Sequence, residues 1–173
     1  YAYGFRNPHR MSWSRAGDLY VSNIGGANIE SLNLVKAGQD FGWPQREGNF
    51  LVHPEENWEQ LFPLPANDSS FHFTYPIAEY DHNGGLAAIS GGYEYWGNTV
   101  DALKGKYIFG DIPSGKLYYI KMSEIRPGKQ APVYEWRIKT GGKETNLREL
   151  CGNNRVDLHF GQDAAGEIYI LTK

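Results

Sequence analysis

Polar turns followed by short apolar runs recur along the chain. Ser14–Val21, Asp111–Ile120 and Asp163–Leu171 each read as a polar turn, a glycine, one polar residue and an aliphatic–Tyr run. Gly17, Gly115 and Gly166 supply the backbone freedom that a hairpin turn requires. The runs behind them are almost wholly apolar, as in strands covered on both faces. Four further runs predict strands: Gly91–Trp96, Lys106–Gly110, Val133–Ile138 and Val156–Phe160. The last two alternate apolar and polar, as half-buried strands do. Residues 99–104 predict one helical turn at most. Residues 43–70 hold Pro44, Pro54, Pro63 and Pro65 with little periodicity, which predicts a long loop.

The interval from Gly115 to Gly166 matches the ~40–50 residues of one propeller blade, and the interval from Gly17 to Gly115 is about twice that. The expected fold is therefore all-β: a β-propeller with blades at about 1–75, 76–125 and 126–173. Such a partial ring leaves two apolar faces open. Tyr1–Phe5 carries no initiator Met and no signal-peptide character. The chain reads as the C-terminal portion of a longer protein whose N-terminal half covers those faces.

Composition supports the all-β reading. The aromatic share is 14%, with 12 Tyr and 21 Gly, and these types favour strands and tight turns. A net charge of -3 gives no pull toward nucleic acid or anionic membrane. No apolar run approaches the ~18 residues of a membrane span. Cys151 is the only cysteine, which excludes an intrachain disulfide and a cysteine-based metal cluster. Phosphate-loop, zinc-protease and nucleophile-elbow motifs are absent.

An ordered series of motifs resembles the soluble glucose/sorbosone dehydrogenase family. It begins with Gly4-Phe5-Arg6-Asn7-Pro8-His9-Arg10 and continues through Gly17-Asp18-Leu19-Tyr20, Gly25-Gly26, Glu30–Leu34 and Gly38–Pro44. Ile89–Gly97, Leu103–Asp111 and Arg155–Gly161 complete it. The resemblance implies a six-bladed propeller that oxidises aldose sugars at C1 with pyrroloquinoline quinone, often beside Ca²⁺, in the periplasm or outside the cell. It also implies that the catalytic His lies upstream of these residues, so this chain alone is expected to be inactive.

Within that resemblance, Arg6 and Asn7 are expected to bind the quinone, and Arg6 to stabilise the negative charge that hydride transfer builds on its oxygens. The structural alternative is a salt bridge at Arg6 and a turn at Asn7-Pro8. His9 corresponds to a polar neighbour of the cofactor. Arg155 corresponds to a family Arg that meets a cofactor carboxylate, against a simple pair with Asp157. Gly25 and Gly26 lie where relatives offer backbone carbonyls to Ca²⁺, against an ordinary Gly-Gly turn. Tyr93, Tyr95 and Trp96 offer faces that would wall the quinone or a sugar ring, with two of the three expected in the core; Tyr93 and Trp96 are the cofactor candidates. His82, before Gly84-Gly85, reads as a turn residue. The chain departs from the family pattern around Gly25-Gly26 and lacks a Lys in Ile112-Pro113-Ser114. These departures favour an alternative in which the propeller binds carbohydrate or protein without catalysis.

Overall fold

A computed structural model of the chain describes residues 1–53, 55–83 and 85–173. Pro54 of the expected loop and Gly84 lie outside the described residues. The first antiparallel sheet holds β1 (Asn7–Trp13), β2 (Leu19–Ile24) and β3 (Ile29–Val35). An insertion follows, with β4 (Arg46–Glu47), β5 (Phe50–His53) and β6 (Asn57–Phe62). The chain then returns as β7 (Ala78–Asp81) to complete the first sheet, in the order β1-β2-β3-β7.

The second sheet comprises β8 (Ile89–Glu94), β9 (Lys106–Asp111), β10 (Leu117–Lys121) and β11 (Tyr134–Trp136), paired in sequence. A hairpin of β12 (Ile138–Thr140) and β13 (Lys143–Thr145) and a short helix α1 (Leu147–Cys151) lead to β14 (His159–Gln162) and β15 (Ile168–Leu171). These last two pair as a two-stranded sheet, third of the blade sheets and separate from the small β4–β6 and β12–β13 sheets. The architecture is a partial β-propeller.

The repeated turn forms at all three places. Gly17, Gly115 and Gly166 have φ of 89°, 68° and 83°, in the left-handed region that favours glycine, and β2, β10 and β15 begin two residues later. Tyr20 of β2 faces the second sheet in a core with Leu32, Ile89, Tyr107, Phe109 and Ile120. Val21, next along, packs on the other face with Val35, Phe41 and Phe5. A second core joins Leu117 to Leu147, Val156 and Leu158. Burial of both strand faces accounts for the continuous apolar run of β2, whereas β15 leaves Tyr169 and Leu171 exposed.

Two expectations are corrected. Residues 43–70 are not a featureless loop, because β4–β6 form a three-stranded antiparallel sheet within them. The sheets also divide between Asp81 and Ile89, and after Trp136, rather than at 75/76 and 125/126. The outer strand of the first sheet arrives only after the insertion, so its sequence position suggested the next blade. Val133–Ile138 likewise splits between β11 and β12.

Candidate functional site

The edge strands β1, β8 and β14 meet from sheet to sheet and run in the same direction. Arg10 of β1 packs on Gly91 of β8, where any Cβ would lie 2.3 Å from the Arg10 side chain. Ser12 Oγ lies 2.8 Å from Tyr107 Oη, and the Arg15 N–H donates to Glu94 at 2.8 Å. Ser90 Oγ donates to the Leu158 carbonyl at 2.8 Å, and Gln162 Nε2 to the Glu94 carbonyl at 2.7 Å. All three strands therefore start on one side of the molecule, the leading side.

This direction sorts the candidates. Arg6 and Asn7 sit at the start of β1, and Arg155 lies just ahead of β14. The Gly25-Gly26 turn is on the same side because β2 returns antiparallel, with Asn7 opposite Ile24. Tyr93 is the fifth of six residues in β8, paired with Ile108. Trp96 lies beyond it, on the trailing side, stacked against Gly166 and with the Arg15 guanidinium 5.6 Å from its ring. Tyr95 is buried there, its hydroxyl donating to Glu167 at 2.8 Å. The structure does not bring Trp96 to Arg6; side-chain type indicated a ring wall, but strand direction carried it to the other side.

Arg6 is exposed, with its guanidinium 5.8 Å from the Trp43 ring, a contact worth about 0.5–1 kcal/mol in water. Among the described residues it forms no ion pair. Asn7 is the first residue of β1 rather than a turn, and its N–H donates to Asn23 Oδ1 at 2.9 Å. His9 is half-buried, and its Nε2 is enclosed without a partner. Burial, then the charges of Arg10 and His159, lower its pKa. Arg10 crosses Gly91 to bring Nη2 within 3.4 Å of His159 Nδ1, so three blades contribute to one polar cluster.

The Gly25-Gly26 turn is organised by carboxylates. Glu47, only 3% exposed, accepts with Oε1 from the N–H groups of Gly26, Ala27, Asn28 and Ile29 at 3.0, 3.2, 2.9 and 2.8 Å. Successive N–H groups of this kind form a concavity for an anionic oxygen. Asn28 Nδ2 donates to the Glu59 carbonyl at 2.8 Å, so β4 and β6 are both fastened to the turn. The Gly25 N–H donates to Glu30 Oε1 at 3.2 Å. Among the described residues no three His, Cys, Asp or Glu side chains gather as a metal site.

Glu30 has no exposed surface and joins two sheets. His82 Nε2 lies 2.8 Å from its Oε1, and the Ile89 N–H donates to Oε2 at 2.7 Å. His82 is thus held against a buried carboxylate rather than standing as a solvated turn residue. Burial pushes the Glu30 pKa up to about 7, opposed by hydrogen bonds from Ile89, His82 and Gly25.

Arg155 Nε pairs with Asp157 Oδ1 at 2.6 Å, the simple pairing weighed against a cofactor contact. The Ile112 and Pro113 carbonyls accept the Leu158 and Val156 N–H groups, each at 3.2 Å, stitching that loop to the third blade. Sequence reasoning missed Glu47 and Trp58, because each meets the turn across the insertion and neither belongs to a local motif.

A family model described as Glucose / Sorbosone dehydrogenase matches residues 1–172. The HIPL1 protein of Arabidopsis thaliana is 31% identical over 186 aligned positions, covering 99% of this chain and 26% of that protein. The apo-form structure of the soluble aldose sugar dehydrogenase from Escherichia coli superposes with a TM-score of 0.64 at 19% identity, over 99% of this chain and 43% of that one. The PQQ-bound aldose sugar dehydrogenase of Streptomyces coelicolor gives a TM-score of 0.56 at 18% identity, over 99% and 44% of the two chains. The chain thus spans about a quarter of that curated relative and less than half of those structures.

Proposed function

The chain belongs to the glucose/sorbosone dehydrogenase family, and from that premise we propose that it forms part of an oxidoreductase that oxidises aldose sugars at C1 to lactones. Pyrroloquinoline quinone, when bound, would accept the hydride. The observation that carries this reading is Arg6: an exposed guanidinium without an ion pair among the described residues, next to Asn7 on the leading side. These two residues fit a planar, polyanionic group. Arg6 would donate N–H groups to the quinone oxygens, where charge accumulates, and the Asn7 amide would orient the ring. His9, held toward its neutral form, would keep a second positive charge away from the reacting carbon. The base that takes the C1 hydroxyl proton is assigned to the part of the enzyme outside this chain.

Arg155 fits less directly, since it would have to leave Asp157 to meet a cofactor carboxylate. Ca²⁺ also fits less well, because the N–H groups of the Gly25-Gly26 turn face Glu30 and Glu47; only its carbonyls would serve the ion. Export to the periplasm or exterior belongs to the same proposal, by family kinship. No helix among the described residues is long and apolar enough to cross a membrane.

A second reading is a propeller that binds carbohydrate or protein without catalysis. The Arg155–Asp157 pair favours it, as it removes one cation from the cofactor. Reconstitution of the full polypeptide with pyrroloquinoline quinone and Ca²⁺, followed by aldose-dependent dye reduction, separates the two. Turnover that disappears together with quinone binding in Arg6→Ala supports the dehydrogenase. Unchanged quinone affinity in Arg6→Ala would sink the assignment, and absent quinone binding in the unaltered protein would favour the binding module.

A further inference from the structure

The insertion β4–β6 adds nothing to the first blade, whose four strands pair without it. It is nonetheless fixed to the leading side by Glu47 and by the Asn28–Glu59 hydrogen bond. What it carries there is an aromatic surface. Atoms of the Trp43 and Trp58 rings lie 3.2 and 3.1 Å from the point where a Gly26 Cβ would stand, so the rings are neighbours over the turn. Trp43 also borders the Arg6 guanidinium at 5.8 Å. Trp58, 42% exposed, lies at the same turn, and among the described residues the Arg6 guanidinium meets the Trp43 ring rather than that of Trp58. An exposed tryptophan on an anchored strand presents a flat apolar face at little cost in side-chain entropy, with an indole N–H at its edge. Pyranose rings offer matching C–H faces rimmed by hydroxyls.

We propose that Trp43 and Trp58 form a two-ring carbohydrate platform, so that the substrate is an oligosaccharide with its reducing-end ring beside Arg6 and its second ring on Trp58. This inference rests on the sugar-dehydrogenase reading and assigns that site's substrate class.

The test uses the full polypeptide in two measurements. With quinone loaded, kcat/KM is determined for glucose, cellobiose and maltose. Without quinone, the same sugars are titrated by calorimetry. In Trp58→Ala the disaccharide-to-glucose ratio of kcat/KM is expected to fall about tenfold, the change that about 1.4 kcal/mol of lost stacking produces. Trp58→Phe is expected to restore most of it. A ratio unchanged in Trp58→Ala, or an equal loss for glucose and disaccharides, overturns the proposal. Should no sugar be oxidised even by the unaltered protein, the dehydrogenase reading fails and calorimetry decides alone. Disaccharide binding lost in Trp58→Ala then upholds the platform, and absence of disaccharide binding in the unaltered protein overturns it.

Discussion

Glu30 shows what enclosure does to a carboxylate. Its folded pKa of about 7 lies above the ordinary 4.5, so between those values the folded state holds a proton that the unfolded state has released. Stability from this group is present in full below about pH 4.5 and is lost as pH rises toward 7. The amplitude is on the order of 3 kcal/mol. Glu30→Gln, which imitates the protonated form, is expected to flatten the melting temperature against pH across that window, even if its absolute value is lower. A slope equal to that of the unaltered protein would remove the carboxylate as its cause. Arg6 and Asn7 stand side by side by residue order alone, since their motif is contiguous, and their role at a cofactor is what the Arg6→Ala experiment tests. Glu47 was not legible in the sequence: its four N–H partners lie 18 to 21 positions upstream, and neither a glycine pair nor a lone glutamate announces the other.

The recurrent hairpins were legible because each is local. A glycine, one polar residue and an aliphatic–Tyr run suffice to specify turn and strand, and the left-handed φ values agree. The same hairpins differ in surroundings, which makes them separable by mutation. A Cβ at Gly17 meets nothing within 4 Å, whereas one at Gly166 lies 2.3 Å from the Trp96 ring. Gly17→Ala is expected to cost about 1 kcal/mol for backbone strain, and Gly166→Ala a further ~1–3 kcal/mol for overpacking, readable as a larger drop in melting temperature. The insertion strands escaped notice for a physical reason. β6 reads Asn-Trp-Glu-Gln-Leu-Phe, and its first four residues are exposed. Its apolar residues Trp58, Leu61 and Phe62 do not alternate along the strand, so period-two patterning could not reveal it.

The open sides of the three-sheet assembly are apolar. On the first sheet Met11 and Trp13 are 61% and 62% exposed, beside Phe5, Pro8 and Val21 around a depression of about 400 Å³. On the third sheet Tyr169 and Leu171 stand 56% and 51% exposed. The repeat arithmetic anticipated two such faces. Residues 1–173 prepared alone are expected to bind a hydrophobic dye and self-associate, and Met11→Lys with Trp13→Lys to reduce both. In the full polypeptide the same pair is expected to lower the melting temperature, since each side chain covered by a neighbouring blade contributes about 1.5–3 kcal/mol. Equal behaviour in the two settings would mean that no blade covers this face.

The common direction of β1, β8 and β14 also divides the molecule for change over time. Exchanging exposed residues on the leading side, where the insertion already sits, alters what the surface can grip while the buried Glu30 and Glu47 keep the sheets and the turn together. Changes on the trailing side meet the packed contacts of Trp96, Gly166 and Glu167 and are felt as lost stability. A library meant to shift recognition therefore belongs at exposed leading-side positions such as residues 55–60 and 85–86, with Glu30, Glu47 and His82 left in place.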